Sequence, residues 1–336
     1  MKKMATTPIA IALSLIMATA GTIAFAPRIT EPLAATEIPV KNMIITSVAQ
    51  SKLGLIAAGE LGHILLSQDN GQTWNKANIN TQRHALITDL TFQTESYGLA
   101  IGHEGWILQT QDGGANWNEV SFGSEHSVPL LNISQVTKNQ WATIGAYGLT
   151  RISNDNGNTW QDVPPPAQTD WHLNAMIVPK EGKTRLIAGE AGTVLRSEDN
   201  GQSWQSITPF YDGSFYGGIH LGNQSWLIYG MRGNIFRSFD DGISWQKADF
   251  NLPISLFAHL QLPDGQIMLG GQGGLLLSST DNGESFNLLR RGGRETITDI
   301  HLLDSGDLLL GSDAGVIHFP VSDAKEIAYK STIINK

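Results

Sequence analysis

The chain has no cysteine. That excludes disulfides, thiolate metal sites, a cysteine nucleophile and a lipoprotein-type lipid anchor, so stability has to come from packing. Charge is also scarce: charged residues are 16% of the chain, where about 25% is usual. Basic residues are outnumbered, 22 Lys and Arg against 31 Asp and Glu, for a net charge of −9. A nucleic acid is held by clustered cations that release counterions, so this balance argues against nucleic acid and, likewise, against anionic membrane surfaces. No long apolar run occurs after residue 26.

Before residue 26 there is one. Lys2 and Lys3 precede an apolar stretch from Ile9 to Ala20, followed by small residues. This is the order of a secretory signal peptide, expected over residues 1–26. Cleavage is expected after Ala20, with Ala26 the other position, disfavoured by Pro27. Loss of Lys2 and Lys3 would take the net charge to −11. An uncleaved inner-membrane anchor is the alternative, because residues 8–26 approach the roughly 20 residues a bilayer needs. The expected location is therefore periplasmic or secreted. A linker over residues 27–39 and one domain over residues 40–336 complete the expected organisation.

The chain is rich in a repeat. Ser67-Gln-Asp69-Asn-Gly71-Gln-Thr73-Trp74 returns five times, with its aspartate at Asp112, Asp155, Asp199, Asp240 and Asp281. Each aspartate follows by seven residues a glycine closing a Gly-x-x-Gly turn, from Gly59 to Gly62 through to Gly271 to Gly274. A degenerate seventh unit starts near Asp307 and has Ser322 at the aspartate position. A period of 41 to 44 residues, carrying four short β-branched and aromatic segments separated by turn residues, is that of a propeller blade. The fold expected is all-β: a seven-bladed β-propeller with four-stranded antiparallel blades. The last outer strand is expected from the tail at residues 326–334 or from residues 36–41, and Pro164, Pro165 and Pro166 are expected to end blade 3.

Within each eight-residue segment the aspartate is expected to bond backbone N–H groups of its own turn, glycine to supply a positive φ, and tryptophan to cover the blade. These aspartates are therefore expected to be structural. One Asp beside a neutral Asn offers too few oxygens for calcium, and the nine histidines show no metal-ligand spacing. No cofactor and no metal are expected.

These segments are Asp-boxes, the bacterial-neuraminidase repeat. With the Gly-x-x-Gly turns, the chain from about Lys41 to Phe319 resembles the photosystem II assembly and stability factor family. The resemblance implies a seven-bladed, non-enzymatic scaffold that holds a membrane-protein subunit during assembly through basic residues on one face. The acidity of this chain departs from a large basic patch.

The same fold carries sialidases and other glycoside hydrolases, which is the alternative function, together with plain glycan binding. A sialidase needs three arginines near the axis, a tyrosine nucleophile with a glutamate, and an aspartate. Aligning the first strands puts Ser47, Asp89, Asn132, Asn174, Gly218, Ala258 and Asp299 in the axial ring, without an arginine. Another glycosidase could pair Asp89 with Asp299. Against this, both are expected to be channel residues bonded to neighbouring backbone.

A partner-binding face is expected opposite the Asp-boxes, where the Gly-x-x-Gly turns meet the inter-blade loops. The turns carry His103, Tyr147 and Arg232, and the loops carry Arg83, His126, Trp171, the aromatic run with Tyr211, Phe215 and Tyr216, and Arg290, Arg291 and Arg294. Aromatics and arginine are enriched at protein interfaces. The function expected is a non-catalytic exported scaffold, monomeric, that binds an envelope or membrane-protein partner.

Overall fold

The computed structural model describes residues 11–13, 15–17, 19, 40–123, 127–164 and 170–321. The described residues between 11 and 19 are helical, and no helix among the described residues is long and apolar enough to cross a membrane. Most of residues 1–39, the signal and linker expectations included, lies outside the described residues, as do His126, Pro165, Pro166, Ser322 and the 326–334 tail.

The described residues from Val40 onward form one compact unit, a seven-bladed β-propeller of small antiparallel sheets. In each blade the strands pair in chain order from the axis outward. Blade 2 is typical, with strands Ile87–Phe92, Gly98–Gly102, Ile107–Thr110 and Asn116–Ser121. Its second strand is buried along its whole length, because it is covered by both neighbouring blades. That is why the second strands read as continuous small and aliphatic runs such as Gly98-Leu-Ala-Ile-Gly102. The outer strands of blades 1, 4 and 5 are exposed and only two residues long.

The core lies between blades. Ile56, Ala58 and Ile64 of blade 1 pack on Ile87, Trp106 and Trp117 of blade 2, and Ala258 and Met268 of blade 6 pack on Ile297 and Leu308 of blade 7. No blade can bury both faces alone, which makes the seven one cooperative unit. Blade 2 gains a fifth strand that the repeat does not announce: Asn78–Ile79, arriving from blade 1, pairs in parallel with Asn116 and Trp117.

Blade 7 has three strands among the described residues: Ile297–Leu302, Leu308–Ser312 and Gly315–Phe319. The short 3-10 turn Val40–Asn42 packs beside Gly315–Phe319. The ring closes at the axis, where Val48 N donates to Asp299 Oδ2 at 2.6 Å and Thr298 Oγ1 donates to Ile45 O.

Candidate partner face and axial channel

The first strand of every blade carries a bulge at the same place, at Thr46, Thr88, Leu131, Asn174, Tyr216, Phe257 and Thr298. A bulge inserts one residue and disturbs the strict alternation of sides. Two consecutive side chains can then reach the next blade. Thr88 Oγ1 donates to Leu130 O at 2.6 Å while Asp89 Oδ2 accepts from Ile133 N at 3.0 Å. Thr298 and Asp299 do the same to blade 1, and Asn132 Oδ1 takes Met176 N at 2.9 Å.

The bulges correct the axial ring. Counting through them, the residues equivalent to Ser47 are Asp89, Asn132, Ala175, Gly217, Ala258 and Asp299. Asn174 and Gly218, expected in that ring, are each one place off. Asn174 occupies the bulge itself and its Nδ2 donates to Phe215 O at 2.7 Å. Gly217 is glycine for a steric reason: a β-carbon there would lie 2.1 Å from the Tyr229 hydroxyl. That hydroxyl is instead 2.7 Å from His259 Nδ1.

Asp89 and Asp299 accept from the backbone of the next blade and from the residue following each, Leu90 N and Ile300 N, both at 2.8 Å. Burial pushes Asp89 up to about 6 despite these bonds and one from Asn132. Burial pushes Asp299 further, to about 7, with the Asp89 charge adding to the rise. The channel mouth on the Asp-box side is an open funnel of about 910 Å³ touched by Lys180, Glu181, His220 and His259.

The Asp-boxes form one geometry. In blade 1, Asp69 Oδ1 accepts from Thr73 N at 2.8 Å and from Ser67 Oγ at 2.7 Å, Asp69 Oδ2 accepts from Thr73 Oγ1 at 2.5 Å, and Trp74 Nε1 donates to Gly71 O at 3.0 Å. The carboxylate thus reaches four residues on. The leading serine has a part that its spacing did not suggest: buried Ser67 Oγ also accepts Gly71 N–H at 2.8 Å. Thr110, Ser153, Ser197, Ser238 and Ser279 repeat it. The hydroxyl bond from residue 73, 159 or 203, then the backbone N–H, holds Asp69, Asp155 and Asp199 at about 2. In Asp240 and Asp281 burial opposes the shift, yet the same bonds win and bring both to about 2. Asp112 is lowered in the same way.

On the opposite face, each Gly-x-x-Gly turn sits beside the loop entering the next blade; Gly148 N, for example, donates to Trp171 O at 3.0 Å. The third turn residue is left-handed throughout, and at Tyr147 (φ 56°) and Arg232 (φ 56°) it carries a large side chain. Tyr147 is 66% exposed and Trp171 52%. The Tyr147 ring meets His172 edge-on at 5.0 Å, and His172 N donates to Glu190 Oε2 at 3.1 Å. Arg232, Arg291 and Arg294 are exposed and His103 is half-buried. No ion pair holds these three arginines among the described residues.

Five expected partner residues are engaged in contacts within the protein, and only Phe215 of them is fully buried. Phe215 is fully buried under Phe210, Tyr211 and Phe236, so it is core. Tyr211 is half-buried, and its hydroxyl donates to Met231 O at 3.2 Å. Arg83 makes a two-pronged bond to Glu119 at 2.6 and 2.8 Å and lies 4.4 Å over the Phe122 ring. Arg290 is tied to Glu295 and to Gly274 O. Tyr216 stacks on Phe257 at 4.8 Å, both being bulge residues.

The family model of the photosynthesis system II assembly factor YCF48 matches residues 72–208. The chain is similar to the photosystem II assembly-factor propellers. Solved structures agree in fold. "YCF48 bound to D1 peptide" superposes with a TM-score of 0.68 at 15% identity, covering 87% of this chain and 96% of that one. YCF48 from Cyanidioschyzon merolae gives 0.67 at 13% identity, covering 85% and 98%. The WD40 propeller domain of Doa1 gives 0.65 at 10% identity, covering 82% and 92%, so the blade geometry extends beyond the assembly-factor propellers. No curated protein matches the sequence.

Proposed function

We propose that this chain is a non-catalytic exported propeller that holds an envelope or membrane protein through its loop face, as an assembly or stability factor does. The observation that carries the reading is the set of exposed aromatics, and of exposed arginines with no ion pair among the described residues, on that face: Tyr147, Trp171, Arg232, Arg291 and Arg294. Exposed aromatics and arginines on one face are the residue types enriched at protein interfaces. The similarity to a YCF48 structure whose own partner is a D1 peptide supports a protein or peptide ligand. Lys2, Lys3 and the apolar run to Ala20 support export. The non-catalytic reading is supported by Asp89 and Asp299, whose oxygens are already taken by backbone N–H groups.

Affinity capture from detergent-solubilised envelopes tests this, with the parent chain beside a Tyr147→Ala/Trp171→Ala/Arg291→Glu/Arg294→Glu variant. A membrane protein retained by the parent and lost by the folded variant is expected. Equal retention by both overturns the assignment of the face. Turnover of an oligosaccharide that disappears in Asp89→Asn overturns the non-catalytic reading.

A further inference from the structure

Seven copies of one blade make any departure from the repeat visible, and two departures meet in one cavity. The first lies on the second strand. Two places beyond the bulge partner, six blades carry a large aliphatic residue: Ile56, Leu99, Leu186, Leu227, Met268 and Leu309. In blade 3 that position is Ala142. These side chains sit under the Asp-box glycine of the following blade, Ile56 under Gly114, Leu99 under Gly157 and Leu186 under Gly242. Under Gly201 the support is missing. A β-carbon there would have only Trp204 atoms within 4 Å and nothing from blade 3. The space left between blades 3 and 4 is a cavity of about 570 Å³, walled by Ala142, Ile152, Met176, Ile187 and Trp204. That is within the usual range for small-molecule sites.

The second departure is Arg185, which lines the same cavity. Its equivalents at the start of the other second strands are Leu55, Gly98, Trp141, Trp226, Ile267 and Leu308, none of them charged. Arg185 is 5% exposed. Its guanidinium donates to Gly182 O, Thr184 O and Asn200 Oδ1 at 2.9 to 3.1 Å, and its Nε is buried without a partner. The other deeply placed arginines have acids beside them: Arg151 has Asp162, Arg196 has Glu198 and Asp241, and Arg237 has Glu284. Arg185 has no carboxylate among the described residues. Burial alone drives its pKa down. An enclosed guanidinium lacking a counter-charge is costly, and a guanidinium is the side chain best suited to a carboxylate.

We propose that the cavity between blades 3 and 4 binds a small amphiphilic carboxylate, with its chain against Ala142, Met176 and Trp204 and its acid group on Arg185. The site lies apart from the loop-face residues and stands independently of the partner reading. Isothermal titration of the full chain with octanoate, and with 1-octanol as the uncharged counterpart, tests it. The expected result is saturable octanoate binding, one per chain, at least about tenfold tighter than octanol. Arg185→Met should erase the tenfold preference. Ala142→Leu, which restores the residue type of the other blades, should abolish octanoate binding without lowering Tm. If Arg185→Met fails to fold, Ala142→Leu decides alone. Absence of saturable octanoate binding, equal binding of octanoate and octanol by the parent, or undiminished binding by folded Ala142→Leu would each overturn the proposal.

Discussion

Replacing Asp299 by Asn turns the axial staple between blades 7 and 1 into one that does not titrate, and its effect on stability depends on pH in a direction the structure fixes. The Asp299 carboxyl is raised from 3.8 to about 7, chiefly by burial. A folded-state pKa above the unfolded value means that the native protein holds its proton more tightly. The contribution of Asp299 is therefore fully present below about pH 4 and is lost as pH rises to 7. Each pKa unit is worth about 1.4 kcal/mol, so this loss is on the order of 4 kcal/mol. Asn132 already performs the corresponding task in blade 3 with a neutral amide, its Oδ1 accepting Met176 N at 2.9 Å. Asparagine at 299 can therefore keep the bond to Val48 N. Urea unfolding followed by tryptophan fluorescence at pH 4.5 and pH 8 measures the stability difference between variant and parent. That difference should move by several kcal/mol in favour of the variant as pH rises. A difference that stays constant, or moves in favour of the parent, would refute the assignment of a buried, high-pKa carboxyl.

Four further outcomes follow from the geometry. Ser153→Ala leaves the buried Gly157 N–H without its acceptor and should cost about 1–3 kcal/mol in urea unfolding. Phe215→Ala removes a fully buried ring and should cost about 3–5 kcal/mol. Tyr147→Ala and Trp171→Ala, both at exposed positions, should stay within about 0.5 kcal/mol of the parent; a loss as large as that of Phe215→Ala would place those rings in the core. On acidification, the depressed Asp69, Asp155 and Asp199 carboxylates keep their stabilising bonds above about pH 4 and lose them as pH falls towards 2. The parent should therefore lose stability below pH 4, and replacing these aspartates by Asn should flatten that limb of the acid titration.

The architecture was legible because a blade repeats: glycine turns and aspartate turns recur at nearly constant spacing, and each marks a strand boundary. Composition and turn residues put the strands of blade 2 at residues 87–93, 97–101, 106–111 and 116–121, each end within one residue of where the strand forms. What the repeat hid were single insertions. The bulge in each first strand shifts side-chain direction by one place; Asn174 imitates Asn132 in type but sits on the bulge, one place before the ring, and Gly218 lies one place after it. Exposure in the loops was harder to read, because an exposed and a buried aromatic look alike in a loop sequence. Phe215 begins a strand and faces the core, whereas Trp171 ends a connection and faces water. Glu295, five residues from Arg290, was the available sign that this arginine is paired. Glu119 lies too far along the chain from Arg83 to have served in the same way. Ala142 and Arg185 stand out only once register identifies their equivalents in the other blades.

The claim that the loop face holds the partner is tested most directly by photo-crosslinking in intact envelopes. A photoreactive residue is placed at Tyr147 or Trp171 on the loop face, and at exposed Gln72 or Gln202 on the Asp-box face. One membrane-protein adduct is expected from positions 147 and 171 and none from 72 and 202. The same adduct formed from 72 or 202, with none from 147 and 171, would contradict the claim.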